Sequence, residues 1–168
     1  DNKQPYLDQS VRSMKEIIKT AEDCGVTYCV EAVNRFETCI INTAAEALDY
    51  IARVDSPNIG VLLDTYHMNI EETSFAKAIE AVGSERLKSF HTGENNRTAP
   101  GRGHINWDEI FSSLAKIGYR GPIVSEPFVM QGGEVGRDIH VFRDLVENPC
   151  EAVIDAEAAY LLDFERNM

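Results

Sequence analysis

The stretch IGVLLD, residues 59–64, decides the fold. Its apolar run has no polar break and stops at an acid. A half-wet strand would alternate, so this run reads as a strand buried on both faces, as strands of parallel sheets are. Before it, Ser56-Pro57-Asn58 makes a turn. Upstream of the turn, Ala44, Ala47, Leu48 and Ile51 share one helical face. Thr43 and Glu46 open that helix as a capping box, and it ends near Val54. Further upstream, residues 27–33 (TYCVEAV) are β-branched and apolar around one acid, Glu31, and read as the first strand. Residues 10–23 carry Val11, Met14, Ile17, Ile18 and Ala21 at helical spacing, with Gly25 placed to end the helix.

Downstream of IGVLLD the same alternation continues. Phe75, Ala78, Ile79 and Val82 form a third helical stripe stopped by Gly83, and residues 87–90 form a strand closed by His91. After the polar loop GENNRTAPGRGH, residues 93–104, Asn106 and Glu109 repeat the capping pattern. They precede Trp107, Ile110, Phe111, Leu114 and Ile117, and Gly118 ends that helix. Residues 123–125 are a strand closed by Glu126, followed by a loop and one or two helices. Strands alternating with helices about every 30 residues imply parallel βαβ units, in a doubly wound sheet or in part of a (β/α)8 barrel. Four strands are half a barrel, and a whole one takes about 250 residues. A four-stranded flavodoxin-like sheet also fits the length.

Composition narrows the function. The 168 residues are 43% hydrophobic and 26% charged, as in ordinary globular proteins. Sixteen Lys and Arg face 28 Asp and Glu, a net charge of −12 that repels nucleic acid. No run approaches the roughly 20 apolar residues of a membrane helix, and the first residues, DNKQPYLDQS, have no signal-peptide pattern. Cys24, Cys29, Cys39 and Cys150 form no C-x-x-C pair and read as reduced structural residues of a cytoplasmic protein.

All four strands carry an ionisable residue at or near the carboxyl end: Glu31, Asp64, His91 and Glu126, one per βα unit. Parallel strands bring these ends to one face, where α/β enzymes build their sites. Three crowded carboxylates raise one another's pKa unless a counter-charge is present. Mostly oxygen with one nitrogen suits one divalent cation, Mn²⁺ first, with Co²⁺ or Mg²⁺ as the others. The bland alternative is four solvated strand-end groups. The GRG of residues 101–103 follows no phosphate-loop pattern. His104 and His140 read as surface residues and Trp107 as helix core.

The segments VEAVNRFET (30–38), LDTYHMNIEE (63–72), FHTGENNR (90–97), PGRGHINWDEI (100–110) and EPFVMQGGEVGRDIHVFRDL (126–145) resemble the ketose 3-epimerases. The chain looks most like the D-psicose (D-allulose) 3-epimerases, in the D-tagatose 3-epimerase family of xylose-isomerase-like barrels. The resemblance implies an isomerase whose residues 1–168 are one unit, the carboxyl-terminal half of a TIM barrel with strands 5–8 and their helices. It implies that Glu31, Asp64, His91 and Glu126 hold the metal, and that Glu37, His67 and Arg97 contact the sugar. His67 is expected on a loop. Glu31 and Glu126 are implied to be the acid/base pair that inverts C3 of a ketohexose through an enediolate.

Related barrels give the alternatives: a hydroxypyruvate-type isomerase, an inosose dehydratase, or a non-catalytic carbohydrate- or metal-binding half-barrel. A metal-dependent repair nuclease fits the acidic balance poorly. The expected partners are a small sugar and a missing amino-terminal half-barrel or another chain, with homo-oligomerisation and without nucleic acid or membrane.

Overall fold

A computed structural model describes residues 2–148 and 150–167. The elements are α1 (Gln4–Cys24), β1 (Tyr28–Glu31), α2 (Ala44–Val54), β2 (Ile59–Asp64), α3 (Thr65–Glu71), α4 (Phe75–Arg86), β3 (Leu87–Thr92), α5 (Trp107–Lys116), β4 (Ile123–Ser125), α6 (Gly133–Asp138) and α7 (Glu151–Asn167). The strands form one parallel sheet in the order β1-β2-β3-β4. Helix α1 packs on α2, α2 on α4 and α4 on α5, so these helices form one continuous layer over one side of the sheet. Sequential order with one helical layer is the arrangement of a barrel sector. It rules out the flavodoxin-like alternative, whose strand order reverses and whose helices cover both faces.

Sequence chemistry explains most boundaries. Thr43 caps α2, its hydroxyl accepting from the Glu46 N–H at 3.2 Å. Glu46 in turn accepts from the Asn42 N–H at 2.7 Å, which anchors the residue before the cap. Gly25 closes α1 at φ 65°, a left-handed conformation that costs glycine nothing. Helix α1 begins six residues before the apolar stripe, because Pro5 in its first turn needs no N–H partner. Gly83 breaks the helical dihedrals of α4, and one further turn carries the chain to Arg86. Two helices, α6 and α7, follow β4.

Between sheet and helices lies the core. Val61, Leu63, Phe90, Ile79, Val82 and Ile110 are all fully buried there. Each contributes about 1.5–3 kcal/mol of burial. Trp107 joins this core, as its helical spacing predicts. The four cysteines are free. Cys29 alone is half-buried, while Cys24, Cys39 and Cys150 are exposed, so the expected structural role reaches at most Cys29. His104 and His140 are exposed as expected. Among the described residues no helix is long and apolar enough to cross a membrane.

Candidate metal centre

Strand register brings the four strand-end groups together. Glu31 lies opposite Leu62, two residues before Asp64. Asp64 lies opposite His91. His91 lies opposite Val124, two residues before Glu126. The stagger is therefore two, zero and two residues. Side chains alternate between faces with period two, so each even step keeps the next group on the same face. One ligand atom from each of Glu31, Asp64, His91 and Glu126 lies within 4.8 Å of all the others.

The polar atoms here are arranged for something more than one another. Glu31 Oε1, Asp64 Oδ2, His91 Nδ1 and Arg97 Nη1 are buried and lack a hydrogen-bond partner among the described residues. Asp64 shows how the chain prepares this. Its Oδ1 caps α3, accepting from the N–H groups of Tyr66 at 2.7 Å and His67 at 3.3 Å, and Oδ2 is left bare. Three bare carboxylate or imidazole atoms on one face match the donor chemistry of a divalent cation. A buried polar atom left unpaired costs about 1–3 kcal/mol, which a bound cation would remove.

The charges show the same crowding. Burial, with Asp64 and Glu126 nearby, pushes the Glu31 carboxyl up to about 7. Burial also raises Asp64, against the opposing pull of Arg97. Glu126 goes the other way and is lowered, chiefly by the His91 imidazole beside it. His91 is raised by the same contact, with Nδ1 3.5 Å from Glu126 Oε2. Arg97 is the local cation, with Nη1 3.6 Å from both Asp64 Oδ2 and Glu126 Oε2.

Of the three expected sugar contacts, His67 and Arg97 border this cluster. His67 Nε2 is 3.7 Å from Glu31 Oε1 and 3.2 Å from Arg97 Nη2. Burial, then Arg97, lowers the His67 pKa to about 4, so the ring is neutral. His67 lies in helix α3 rather than on a loop, because Asp64 serves as both strand end and helix cap. Glu37 is exposed on the turn after β1, held by the Asn34 side-chain amide at 2.8 Å.

Four further residues shape the site. Arg97 adopts φ 64°, and its guanidinium stacks 3.8 Å over Tyr66 and 5.0 Å from Phe128. Asn34 is buried behind the His67 ring. Glu94 is fully buried and accepts from the N–H groups of Gly101 at 2.8 Å and Ile105 at 3.2 Å, and from Trp107 Nε1 at 2.7 Å. That carboxylate gathers the loop bearing Arg97, and a Cβ at Gly103 would overlap it. An Asn two residues before an accepted backbone N–H is a readable turn signal at Asn34. A buried loop carboxylate such as Glu94 has no periodicity to betray it.

A family model described as the xylose isomerase-like TIM barrel matches residues 1–155. The chain is 52% identical over 159 residues to a D-psicose 3-epimerase of Ruminiclostridium cellulolyticum, covering 95% of this chain and 54% of that protein. It is 44% identical over 168 residues to a D-psicose 3-epimerase of Enterocloster bolteae, covering 100% of this chain and 56% of the relative. A crystal structure of D-psicose 3-epimerase with D-tagatose, from Clostridium cellulolyticum H10, superposes with TM-score 0.95 at 50% identity. It covers 99% of this chain and 57% of that one. The chain thus spans about half the length of the relatives it matches.

Proposed function

The chain belongs to the xylose isomerase-like TIM barrel family, and from that premise we propose that it forms the metal-binding, proton-transferring half of a ketose 3-epimerase. The observation that carries this reading is the meeting of Glu31, Asp64, His91 and Glu126 within 4.8 Å, with bare buried atoms on the first three. Identities of 44–52% to D-psicose 3-epimerases support a ketohexose as substrate.

Glu31, Asp64, His91 and Glu126 would hold one divalent cation, Mn²⁺ before Co²⁺ or Mg²⁺. When bound, it supplies the positive charge that makes an enediolate affordable near neutral pH. This chain's residues do the rest. Glu31 and Glu126, on the first and last strands, flank the centre from opposite sides. One carboxylate takes the C3 proton from one face of the sugar, and the other gives a proton back on the opposite face, so C3 inverts with no change in redox state. His67 and Arg97 border the carboxylates and would orient the sugar hydroxyls, with Glu37 near the carbonyl end.

The sheet also indicates a partner. Among the described residues the outer edges of β1 and β4 are unpaired, with Tyr28, Ile123 and Val124 exposed. Uncovered edges and apolar side chains favour association. The complement we propose is an amino-terminal half-barrel, in the same or another chain, with further assembly into a homo-oligomer. The site is proposed to work in the cytoplasm.

The deciding experiment supplies Mn²⁺ and D-psicose or D-fructose in deuterated water. Interconversion with deuterium appearing at C3 is expected. Metal binding with neither product nor exchange would leave a carbohydrate- or metal-binding role instead. Exchange that yields an aldose or a dehydrated product would point to the isomerase or dehydratase chemistries.

A further inference from the structure

The strand tips also carry polar groups on the face turned away from the cluster. Thr92 and Ser125 lie opposite each other where β3 meets β4, one residue after His91 and one before Glu126. Side chains alternate between faces, so both hydroxyls point away from the cluster. Each lies 2.6 Å from a single oxygen, Glu165 Oε1 of α7, and the two hydroxyls are 3.1 Å apart. A carboxylate only accepts, so each hydroxyl gives its proton to Glu165, at the short distance of a charge-assisted bond. Thr92 is fully buried, which shields this junction from water.

The junction between β2 and β3 is joined differently. Thr65, the residue after Asp64, donates to the Gly93 carbonyl at 2.6 Å and accepts from the Gly93 N–H at 2.9 Å. That pair of bonds extends the ladder past Asp64 and His91 from within the sheet. Between β3 and β4 one backbone bond continues, from the Glu126 N–H to the Thr92 carbonyl at 2.9 Å. β4 has three residues and, among the described residues, β3 as its one partner strand. A further hold on its end comes from α7, which is itself seated on the loop between β3 and α5. Arg102 of that loop pairs with Glu157 at 2.6 Å and lies 4.4 Å over the Tyr160 ring. A Cβ at Gly101 would stand 2.6 Å from Tyr160 Oη and 2.7 Å from Phe164, so only glycine lets the helix lie this close. Residues 157, 160 and 164 share one helical face, and Glu165 follows at its end, against the strand tips.

We infer that Glu165 is a positioning residue: from α7 it clamps the backbone beside His91 and Glu126, and so holds the spacing of two groups of the cluster through hydroxyls that face away from it. The inference rests on the metal-binding part of the proposed function and on no property of the sugar. It gives the last helix a part in the site although none of its residues belongs to the cluster.

The test is a titration of the folded protein with Mn²⁺, and with Co²⁺ for its visible absorption, which follows ligand geometry. Glu165→Leu keeps the bulk but offers no acceptor, and should weaken Mn²⁺ binding on the order of 10-fold, as loss of groups behind metal ligands does. Glu165→Gln keeps one acceptor oxygen and should recover most of that loss. Leu161→Ala, which loosens the same helix at a buried apolar residue, should lower the melting temperature and leave Mn²⁺ affinity and the Co²⁺ spectrum as in wild type. Wild-type affinity and spectrum in Glu165→Leu overturn the inference, and so does equal weakening in Leu161→Ala, which would make the effect one of helix stability. If Glu165→Leu does not fold, Ser125→Ala decides, since it removes one hydroxyl with little change of size: weaker Mn²⁺ binding supports the clamp, and binding equal to wild type overturns it. Wild-type protein that takes up neither ion also overturns it. The expected losses in a protein that epimerises no ketose leave the clamp standing while the epimerase reading falls.

Discussion

Strands β2 and β4 each lead to a carboxylate of the cluster, and they are built in opposite ways. β2 has six residues, five of them buried, and a partner on either side. β4 has three residues, pairs among the described residues only with β3, and leaves Ile123 and Val124 exposed. The side chain of Asp64 is 0% exposed and that of Glu126 is 37% exposed. A buried interior thus presents one carboxylate of the cluster, and a sheet edge presents the other. The contrast separates a position set by the core from one set at the margin.

The largest effect expected from that contrast is on stability. Leu63→Ala on β2 should cost ~2–5 kcal/mol in denaturant melts, against about 0.5 kcal/mol or less for Val124→Ala on β4. A Val124 cost near that of Leu63 would mean the β4 edge is already covered in solution.

Next come the two carboxylates. Asp64→Asn, changing the buried ligand, should lower Mn²⁺ affinity by more than about 100-fold, measured by calorimetry. Glu126→Gln should lose only about tenfold in affinity but 10²-fold or more in turnover. Equal metal loss in both would erase the difference between centre and edge.

Glu94 links the two regions, since its loop runs from β3 toward α5 and β4. Glu94→Gln replaces one acceptor oxygen by a donor facing N–H groups, and should cost about 1–3 kcal/mol. Its KM should rise more than its metal affinity falls, because the loop carries Arg97 and no cluster ligand. A melt unchanged from wild type would remove Glu94 from this role.

The smallest effect is a pH dependence at the other edge strand. Glu31 is raised to about 7 from 4.5, so the metal-free folded state binds a proton there more tightly than the unfolded state does. That contribution is fully present below about 4.5 and is lost as pH rises through 7. Glu31→Gln lacks it. The variant's stability relative to wild type should therefore climb by ~1–2 kcal/mol between about pH 5 and 7 without metal. A flat difference would make Glu31 an ordinary surface acid.

What the sequence made legible follows the same division. IGVLLD announced β2 because a strand buried on both faces leaves no polar trace until its end, and Thr43, Asn106 and Gly25 marked helix ends by local chemistry. The four strand-end groups could be paired in advance because parallel strands have a common direction. Helix α3 was hidden, since its cap, Asp64, had already been read as a strand end and its seven residues are too few for a periodic stripe. Glu94 escaped for a different reason: its partners are loop N–H groups and an indole, which no spacing encodes; Asn34 signalled its local turn, while its contact with the His67 ring depends on tertiary folding.

Trp107 is the only tryptophan in the sequence. Its indole N–H is hydrogen-bonded to Glu94, and its ring meets Phe164 of α7 edge-on at 5.7 Å. The molecule therefore contains a single indole fluorophore at the junction of the Arg97 loop and the last helix, separable from its six tyrosines by red-edge excitation. Its emission should be blue-shifted in the native state and redden as water reaches the indole. Reddening at a lower urea concentration than the loss of far-ultraviolet ellipticity would time the departure of α7 and the loop before the sheet, with no label added.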